Sequence, residues 1–203
     1  MPTARLLVFL KYPAAGRVKT RLAVDIGPDV AAALYREWIG VVLRAVQPLR
    51  PGVAVVGYFD GSAVEAFAEW HALVDEWLPQ PVGDLGARLA VGFAWGHRQG
   101  GPVVAIGTDC PEIAAEHVAQ AIAILNDADA VFGPATDGGY YLVGTRQEMP
   151  NFFDDVRWSS PHTLADHLNR CQTLGLSLGL LPELADIDTG ADWRAYQQRQ
   201  VER

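Results

Sequence analysis

The sequence predicts an α/β protein in which helices cover both faces of a mainly parallel, twisted β-sheet, giving three α/β/α layers. Apolar, strand-like runs alternate along the chain with segments whose apolar residues recur at helical spacing. The clearest strand is Val103–Ile106, whose continuous apolar character is typical of a strand buried on both faces. Asp109 and Pro111 follow, so a carboxylate lies just beyond the end of a buried strand.

The composition limits the classes of protein to consider. The chain has 203 residues and is 50% hydrophobic, which suits one domain over residues 1–203. A formal net charge of −8 argues against a nucleic-acid or anionic membrane surface, although a small phosphorylated ligand needs only a local basic pocket. Cys110 and Cys171 indicate neither a disulfide framework nor a zinc cluster. The apolar run Leu6–Leu10 is too short for a signal peptide or a membrane span, so a cytoplasmic location is expected.

The first predicted strand, Arg5–Leu10, runs into a cationic loop that contains Pro13 and Gly16. Its four cations are Lys11, Arg17, Lys19 and Arg21. A strand followed by such a loop can bind phosphate through backbone N–H groups and basic side chains. Neither the P-loop spacing nor the Rossmann glycine fingerprint is present. A solvated basic turn is the alternative interpretation.

The next third of the chain predicts a helix, a strand and a short helix. Proline at position 28 opens the first helix, which continues to Pro48 with one apolar face. Residues 52–59 predict the second strand, and a short helix runs through Phe67 and Trp70. Trp70 and Trp77 are expected in the core.

The segment from Gln80 to Phe93 predicts a capped helix. Asp84 is a suitable N-cap, and Leu85, Leu89 and Phe93 share one helical face. Gly83 and Gly86 flank the cap and permit close approach of another group to the backbone. An ordinary helix start explains most of this pattern without a ligand.

Asp109 is the first candidate metal ligand. Open α/β sheets bind ligands at the carboxyl ends of their strands, where an ionised carboxylate can hold a divalent cation. The alternative is that Asp109 caps the following turn. The neighbouring Cys110 is either a nucleophile or a small, partly buried residue at the strand end.

A helix with Val118, Ala121, Ile122 and Leu125 facing inward and a strand over residues 128–134 lead to a second loop. Asp137-Gly138-Gly139 precedes an aromatic and β-branched run, which is typical of a hairpin turn. The same loop could present Asp137 beside a ligand that contacts the glycine backbone. These two interpretations are compatible.

The remaining segments predict two helices and a half-buried strand. Ser159 or Ser160 caps a helix with Pro161 in its first turn, and Leu164, Leu168 and Cys171 form its buried stripe. His162 and His167 do not share a helical face at metal-ligand spacing, so both are expected at the surface or as caps. Residues 176–180 alternate as in a half-buried strand.

Asp186 and Asp188 precede the final helix, for which Thr189 and Asp192 form a variant capping box. Two carboxylates on one side of an extended segment could bind a hard cation. Compensation of the helix dipole is the alternative.

Several of these segments together resemble a known family. Val18-Lys19-Thr20-Arg21-Leu22, Gly107-Thr108-Asp109-Cys110-Pro111, Asp137-Gly138-Gly139-Tyr140-Tyr141 and Asp186-Ile187-Asp188-Thr189 occur in that order. The chain resembles the bacterial glycosyltransferase-like family called radical-SAM/selenodomain-associated transferase 1, some members of which are assigned to arsenosugar biosynthesis. That family lies in the nucleotide-diphospho-sugar transferase superfamily, with the Rossmann-like GT-A fold. The superfamily also includes molybdenum-cofactor nucleotidyltransferases and phospholactate guanylyltransferase, whose Lys-Ser-Arg-Leu is similar to Lys19-Thr20-Arg21-Leu22.

The resemblance implies a metal-dependent transferase that uses a nucleotide-sugar or nucleoside triphosphate donor and a small-molecule acceptor. Asp109, Asp188 and Asp186 would bind Mg²⁺ or Mn²⁺. Asp137, Lys19 and Arg21 would be catalytic. The donor would contact Lys11, Arg17, Lys19, Arg21, Gln80, Gly83, Asp84, Gly138 and Gly139.

The resemblance favours glycosyl transfer over two alternatives. The first is a guanylyl- or cytidylyl-type nucleotidyltransferase, although the Gly-Gly-x-Gly-x-Arg loop of those enzymes is replaced here by residues 11–16. The second is a non-catalytic nucleotide-binding module in which the aspartates only cap helices and turns. Exposed tryptophans could also support a homodimer.

Overall fold

The computed structural model describes residues 3–61 and 63–201. The sheet of these residues consists of strands β1 (Ala4–Lys11), β2 (Val53–Asp60), β3 (Glu76–Pro79), β4 (Val103–Ile106), β5 (Ala130–Pro134), β6 (Tyr140–Thr145) and β7 (Leu178–Leu180). The α-helices are α1 (Thr20–Ile26), α2 (Pro28–Ala45), α3 (Leu85–Arg98), α4 (Ala115–Ile124), α5 (Thr163–Thr173) and α6 (Gly190–Val201). Two 3₁₀ segments cover Gln47–Leu49 and Val64–Leu73. No helix in the described ranges is long and apolar enough to cross a bilayer.

The strand order β3-β2-β1-β4-β6-β5-β7 makes the sheet mainly parallel. β1 pairs in parallel with β2 on one side and β4 on the other, whereas β6 runs antiparallel to both β4 and β5. The predicted mainly parallel sheet is therefore confirmed, and antiparallel β6 follows β5 through the hairpin turn predicted at Asp137-Gly138-Gly139. The chain builds outward in opposite directions from β1 and β4, so the topological switch point, where such sheets bind ligands, lies between these two strands.

Helices cover both faces of the sheet, as predicted. Leu6 and Val8 of β1 belong to the core shared with α1, α2, α4 and α6, whereas Leu7 belongs to the core shared with α3 and α5. Both faces of β1 are thus apolar because successive side chains enter different cores. Phe132 of β5 packs in the second core. The three-layer α/β/α prediction is confirmed.

The structure differs from the prediction most clearly at α1, β3 and α5. The loop after β1 ends earlier than expected, because α1 begins at Thr20. β3 is absent from the prediction, since its four residues are only half-buried or exposed and show no clear alternation. α5 begins at Thr163 instead of near Ser159 because the hydroxyl of Ser160 accepts a hydrogen bond from the amide of His162 and closes a turn before the helix.

His167 corrects the prediction of a surface or cap residue, because its side chain is completely buried. The buried stripe of α5 is Thr163, His167 and Cys171, whereas Leu164 and Leu168 are half-buried. Five aromatic residues surround the imidazole: Phe132, Tyr140, Phe152, Phe153 and Trp158. Burial lowers the pKa of His167 to about 4, so the ring is neutral and packs as an aromatic side chain.

The tryptophans do not form an exposed surface. Trp38 and Trp70 are buried, and the other four are half-buried. Trp158 lies against Gly86, where a Cβ atom would overlap the indole, so the close approach predicted at that glycine is made by the chain itself. The premise that exposed tryptophans form a dimer interface is therefore wrong, and the homodimer itself stays a prediction.

Candidate active site: a cationic loop against four aspartates

A cleft of about 610 Å³ lies at the carboxyl ends of β1 and β4. The predicted site residues in its wall are Lys11, Arg17, Lys19, Arg21, Gln80, Gly83, Asp109 and Asp188. These residues come from distant parts of the sequence. The parallel strands bring them together because the segments that follow such strands meet at one edge of the sheet.

Lys19 lies at the centre of the charged groups in this cleft. Its Nζ atom is 2.6 Å from Oδ1 of Asp109 and 2.8 Å from Oδ1 of Asp188, and its side chain is only 4% exposed. Arg21 forms an ion pair with the other oxygen of Asp188. Burial alone would lower the pKa of Lys19, but the charges and hydrogen bonds of Asp109 and Asp188 together raise it. Lys19 is therefore a buried ammonium ion held between two carboxylates.

The backbone fixes the two partners of Lys19 relative to each other. The amide of Ile187 donates a hydrogen bond to the backbone oxygen of Asp109 at 3.0 Å, which ties residues 186–188 to the end of β4. Ile187 is fully buried. Because side chains alternate along an extended segment, Asp186 and Asp188 lie together on the side opposite to this isoleucine.

Asp137 joins Asp186 and Asp188 in an acidic cluster, in which one carboxylate oxygen from each residue lies within 4.8 Å of the others. The loop after β5 reaches this position because the amide of Thr136 donates to the backbone oxygen of Leu184 at 3.1 Å. Burial, and then the charges of Asp137 and Asp188, raise the pKa of Asp186 to about 6. Three carboxylates thus crowd one small volume.

The predicted metal ligands were Asp109, Asp186 and Asp188, and the structure groups them differently. Asp186 and Asp188 lie together with Asp137, whereas Asp109 is connected to Asp188 through Lys19. The donors are hard carboxylate oxygens of the kind that Mg²⁺ and Mn²⁺ bind. Lys19 and Arg21 pair with Asp109 and Asp188, and the described residues show no ion pair for Asp137 or Asp186, so a divalent cation fits both the donor set and the remaining negative charge.

Residues 42–160 match a family described as an uncharacterized protein conserved in bacteria, DUF2064. The chain belongs to the DUF2064 family. The matched residues include Asp109 and Asp137, and Lys19 and Asp188 lie outside them on either side. A comparison with curated proteins gave no match.

Solved structures show the same fold. The "putative nucleotide-diphospho-sugar transferase" of Desulfovibrio desulfuricans G20 is 30% identical, with a TM-score of 0.89 over 98% of this chain and 88% of that one. The 4-diphosphocytidyl-2C-methyl-D-erythritol synthase of Anaerococcus prevotii DSM 20548 is 9% identical, with a TM-score of 0.66 over 99% of each chain. Rv0371c of Mycobacterium tuberculosis H37Rv, in complex with manganese, is 18% identical, with a TM-score of 0.57 over 97% of this chain and 98% of that one. The last two likenesses concern the fold alone.

Three predicted donor contacts of this DUF2064 protein lie outside the wall of the cleft. Asp84 is the predicted N-cap, and its Oδ1 accepts a hydrogen bond from the amide of Ala87 at 2.8 Å. Gly138 has φ of +88°, and a Cβ atom there would overlap the backbone of Pro161. Gly139 donates its amide hydrogen to Oδ1 of Asp137 at 2.8 Å. The local structure of the turn therefore accounts for both Gly138 and Gly139 without a bound donor.

Arg88 is a cleft residue that the sequence interpretation missed. It donates to Oδ2 of Asp60 at 2.6 Å, to Oε1 of Gln80 at 3.1 Å and to the backbone oxygen of Gly83 at 2.9 Å. These bonds order the part of the cleft that contains Gln80 and Gly83. The sequence contained a signal for this role, because Arg88 lies in the first turn of α3. The helix dipole disfavours a cation there, so a specific anionic partner is implied.

Tyr35 is the second cleft residue that was missed. Its hydroxyl lies 2.8 Å from Oγ1 of Thr108 and accepts a hydrogen bond from the amide of Lys11 at 3.1 Å, so it connects the ends of β1 and β4. Burial and the charge of Asp109 raise its pKa to about 12. A tyrosine on the apolar face of α2 could have indicated this role, because a buried hydroxyl requires a partner.

Proposed function

We propose that this DUF2064 protein is a metal-dependent transferase that takes a nucleotide-activated donor, preferably a nucleotide-sugar, and a small-molecule acceptor. The observation that carries the proposal is the contact of Lys19 and Arg21, two cations suited to phosphate, with Asp188 and Asp109 in one cleft. A diphosphate group bound to a divalent cation needs this combination of charges. The likeness to the Desulfovibrio protein over 98% of the chain supports the choice of donor.

In this proposal the cationic loop binds the diphosphate. Lys19 and Arg21 donate hydrogen bonds to phosphate oxygens and stabilise the charge that develops on the leaving group. Lys11 and Arg17 add positive charge along the same wall, and Gln80 and Gly83 contact the nucleoside. Charge-assisted hydrogen bonds of this kind position the donor and also lower the barrier.

The metal would be held by Asp188 and Asp186, with Asp109 or Asp137 completing the donor set. When bound, it would neutralise negative charge on the diphosphate. Manganese in the related fold of Rv0371c is consistent with this choice of ion. Asp137 is exposed, and we assign it the removal of a proton from an acceptor hydroxyl. Its place in the acidic cluster makes a role as metal ligand the competing assignment.

Glycosyl transfer is our first choice, and membership of the radical-SAM/selenodomain-associated transferase 1 group is part of the same proposal. Nucleotidyl transfer is the second candidate, because Lys19-Thr20-Arg21-Leu22 is similar to the guanylyltransferase motif and the fold is shared with a cytidylyl-type synthase. The two reactions need the same cleft and differ in which bond of the donor breaks.

The released product separates these candidates. The protein would be incubated with Mn²⁺ and a panel of nucleotide-sugars and nucleoside triphosphates, in the presence of candidate hydroxylated acceptors. Release of a nucleoside diphosphate from a nucleotide-sugar would support glycosyl transfer. Release of pyrophosphate from a triphosphate would contradict it and support nucleotidyl transfer. Binding without turnover of any donor would favour the non-catalytic module.

A further inference from the structure

We propose that Lys19 and Arg21 form a latch that keeps the metal out of the ligand-free site, and that the donor diphosphate opens this latch by drawing both cations away from Asp109 and Asp188. Metal and nucleotide would then bind with positive coupling. The inference rests on the proposed function and adds that the donor must release the carboxylates before the metal can bind them.

Both oxygens of Asp188 are already engaged in the ligand-free protein. Oδ1 accepts a hydrogen bond from Nζ of Lys19 at 2.8 Å, and Oδ2 is paired with Arg21. Oδ1 of Asp109 is also paired with Lys19. A metal ion ligated by Asp188 must therefore displace one of these cations or sit beside it. Two like charges within a few ångströms repel strongly where the surroundings are partly buried.

The backbone that carries the two carboxylates is tied down, whereas the two cations lie at the ends of long side chains. The backbone oxygen of Asp109 accepts a hydrogen bond from the amide of Ile187, and the amide of Asp188 donates to Oδ2 of Asp192 at 3.2 Å. Lys19 reaches the carboxylates at the end of a flexible four-carbon stem, and the side chain of Arg21 is 70% exposed. Opening the site thus requires rotation of two side chains and no change in the sheet.

The backbone conformation of Lys19 is unusual and depends on the contacts of its side chain. Lys19 has φ of 48° and ψ of 43°, a left-handed conformation that residues other than glycine rarely adopt. Such a conformation persists where the surroundings determine it. We infer that three contacts of Nζ hold Lys19 in this conformation. They are the ion pairs with Asp109 and Asp188 and the ring face of Trp38, whose centroid lies 5.7 Å from Nζ.

A diphosphate is the natural competitor for these cations. It carries more negative charge than one carboxylate and offers several acceptor oxygens to a lysine and an arginine at once. If it withdraws both cations, Asp188 regains two free oxygens for the metal. Because coupling between two ligands is reciprocal, metal would tighten nucleotide binding by the same factor by which nucleotide tightens metal binding.

The test measures the affinity of the ligand-free protein for Mn²⁺ alone, by electron paramagnetic resonance of the free ion. Lys19→Met removes the buried cation, and we expect Mn²⁺ to bind about tenfold more tightly than to the unsubstituted protein. Arg17→Met is the matched control, since it removes a cation from the same cleft wall that has no ion pair with these carboxylates in the described residues. Its Mn²⁺ affinity should change much less.

A second variant keeps the test decisive if Lys19→Met does not fold. Arg21→Gln removes an exposed cation from Asp188 and should also tighten Mn²⁺ binding, by a smaller factor. Inorganic pyrophosphate should increase the Mn²⁺ affinity of the unsubstituted protein more than that of the folded variant, because the variant has lost a cation that must otherwise be withdrawn. Mn²⁺ bound by pyrophosphate itself is subtracted with a titration that contains no protein.

The outcomes distinguish the latch from the proposed function. Equal or weaker Mn²⁺ binding by both Lys19→Met and Arg21→Gln, with measurable binding by the unsubstituted protein, would overturn the latch and leave the metal-dependent transferase intact. Absence of Mn²⁺ binding in every form, with and without pyrophosphate, would overturn both. Tighter binding in the variants, abolished by adding Asp188→Asn, would support the latch.

Discussion

Nζ of Lys19 lies 2.6 Å from Oδ1 of Asp109, and this ion pair joins the loop after β1 to the segment after β4. The two strands are neighbours in the sheet, so residues separated by 90 positions in the chain meet where the topology predicts a ligand.

Replacing Asp109 with asparagine should abolish metal-dependent nucleotide binding while the protein stays folded. Asp109 is half exposed, and Lys19 retains Asp188 as a partner, so the melting temperature should change by no more than about 5 °C. The measurement is the thermal shift produced by nucleoside diphosphates, triphosphates and nucleotide-sugars, each with and without Mn²⁺. An unchanged shift in the variant would show that Asp109 only caps a turn.

Asp137→Asn should lower turnover by about 100-fold or more and leave Mn²⁺ affinity nearly unchanged, if Asp137 removes the acceptor proton. Asp186→Asn should instead weaken Mn²⁺ binding, because its carboxylate lies deeper in the cluster. Rate and metal affinity are measured on the same preparations. Asp84→Asn, outside the cleft and still able to cap α3, is the control. Loss of metal by Asp137→Asn would reassign Asp137 as a ligand.

Acidification should destabilise the protein through His167. Its pKa is about 4 in the folded state and near 6.5 in the unfolded chain, so between these values only the unfolded state gains the proton. The free energy of unfolding therefore rises with pH across this window, and His167 alone should contribute about 2 kcal/mol between about pH 5 and about pH 7.5. Urea titrations at both pH values give this difference.

His167→Phe should reduce that pH dependence, whatever its effect on stability at neutral pH. His162→Gln, which removes an exposed histidine from the start of the same helix, should keep it. If the His167 variant retained the full pH dependence, other groups would be responsible for it.

Gly138→Ala should destabilise the fold by roughly 2–4 kcal/mol, since φ is +88° and a Cβ atom would overlap the backbone of Pro161. Gly175→Ala is matched in conformation, with φ of +67°, but has open space around its Cβ position and should cost about 1 kcal/mol. Denaturant unfolding of both variants measures the difference. Equal losses would mean that conformation alone requires Gly138.

The sequence was sufficient to predict the fold and the edge of the sheet at which most of the candidate residues lie. Apolar runs that end in charged residues identify β1 and β4, and the cationic loop, Asp109 and the pair Asp186 and Asp188 follow from them. Asp137 was recognised as a candidate, but its proximity to Asp186 depends on a contact between loops that no local pattern encodes.

Other features required the three-dimensional arrangement. A histidine in a polar helical pattern favours the surface, yet His167 is buried because aromatic side chains from several segments exclude water around a neutral ring. The pairing of Lys19 with carboxylates was also hidden, since cations in a loop after a strand indicate phosphate and not an internal partner. Both cases depend on neighbours that are distant in sequence.

The strands of the sheet are joined by two kinds of connection because β6 is antiparallel to its neighbours. β1 and β4 are each followed by a long return through helices, whereas β5 and β6 are joined by a tight turn that carries Asp137. A change in the length of that turn would move Asp137 relative to Asp186 and Asp188, while strands β1 and β4 stay in place. The fold therefore offers one short, replaceable segment through which an engineer could reposition a carboxylate of the acidic cluster while the cationic loop stays intact.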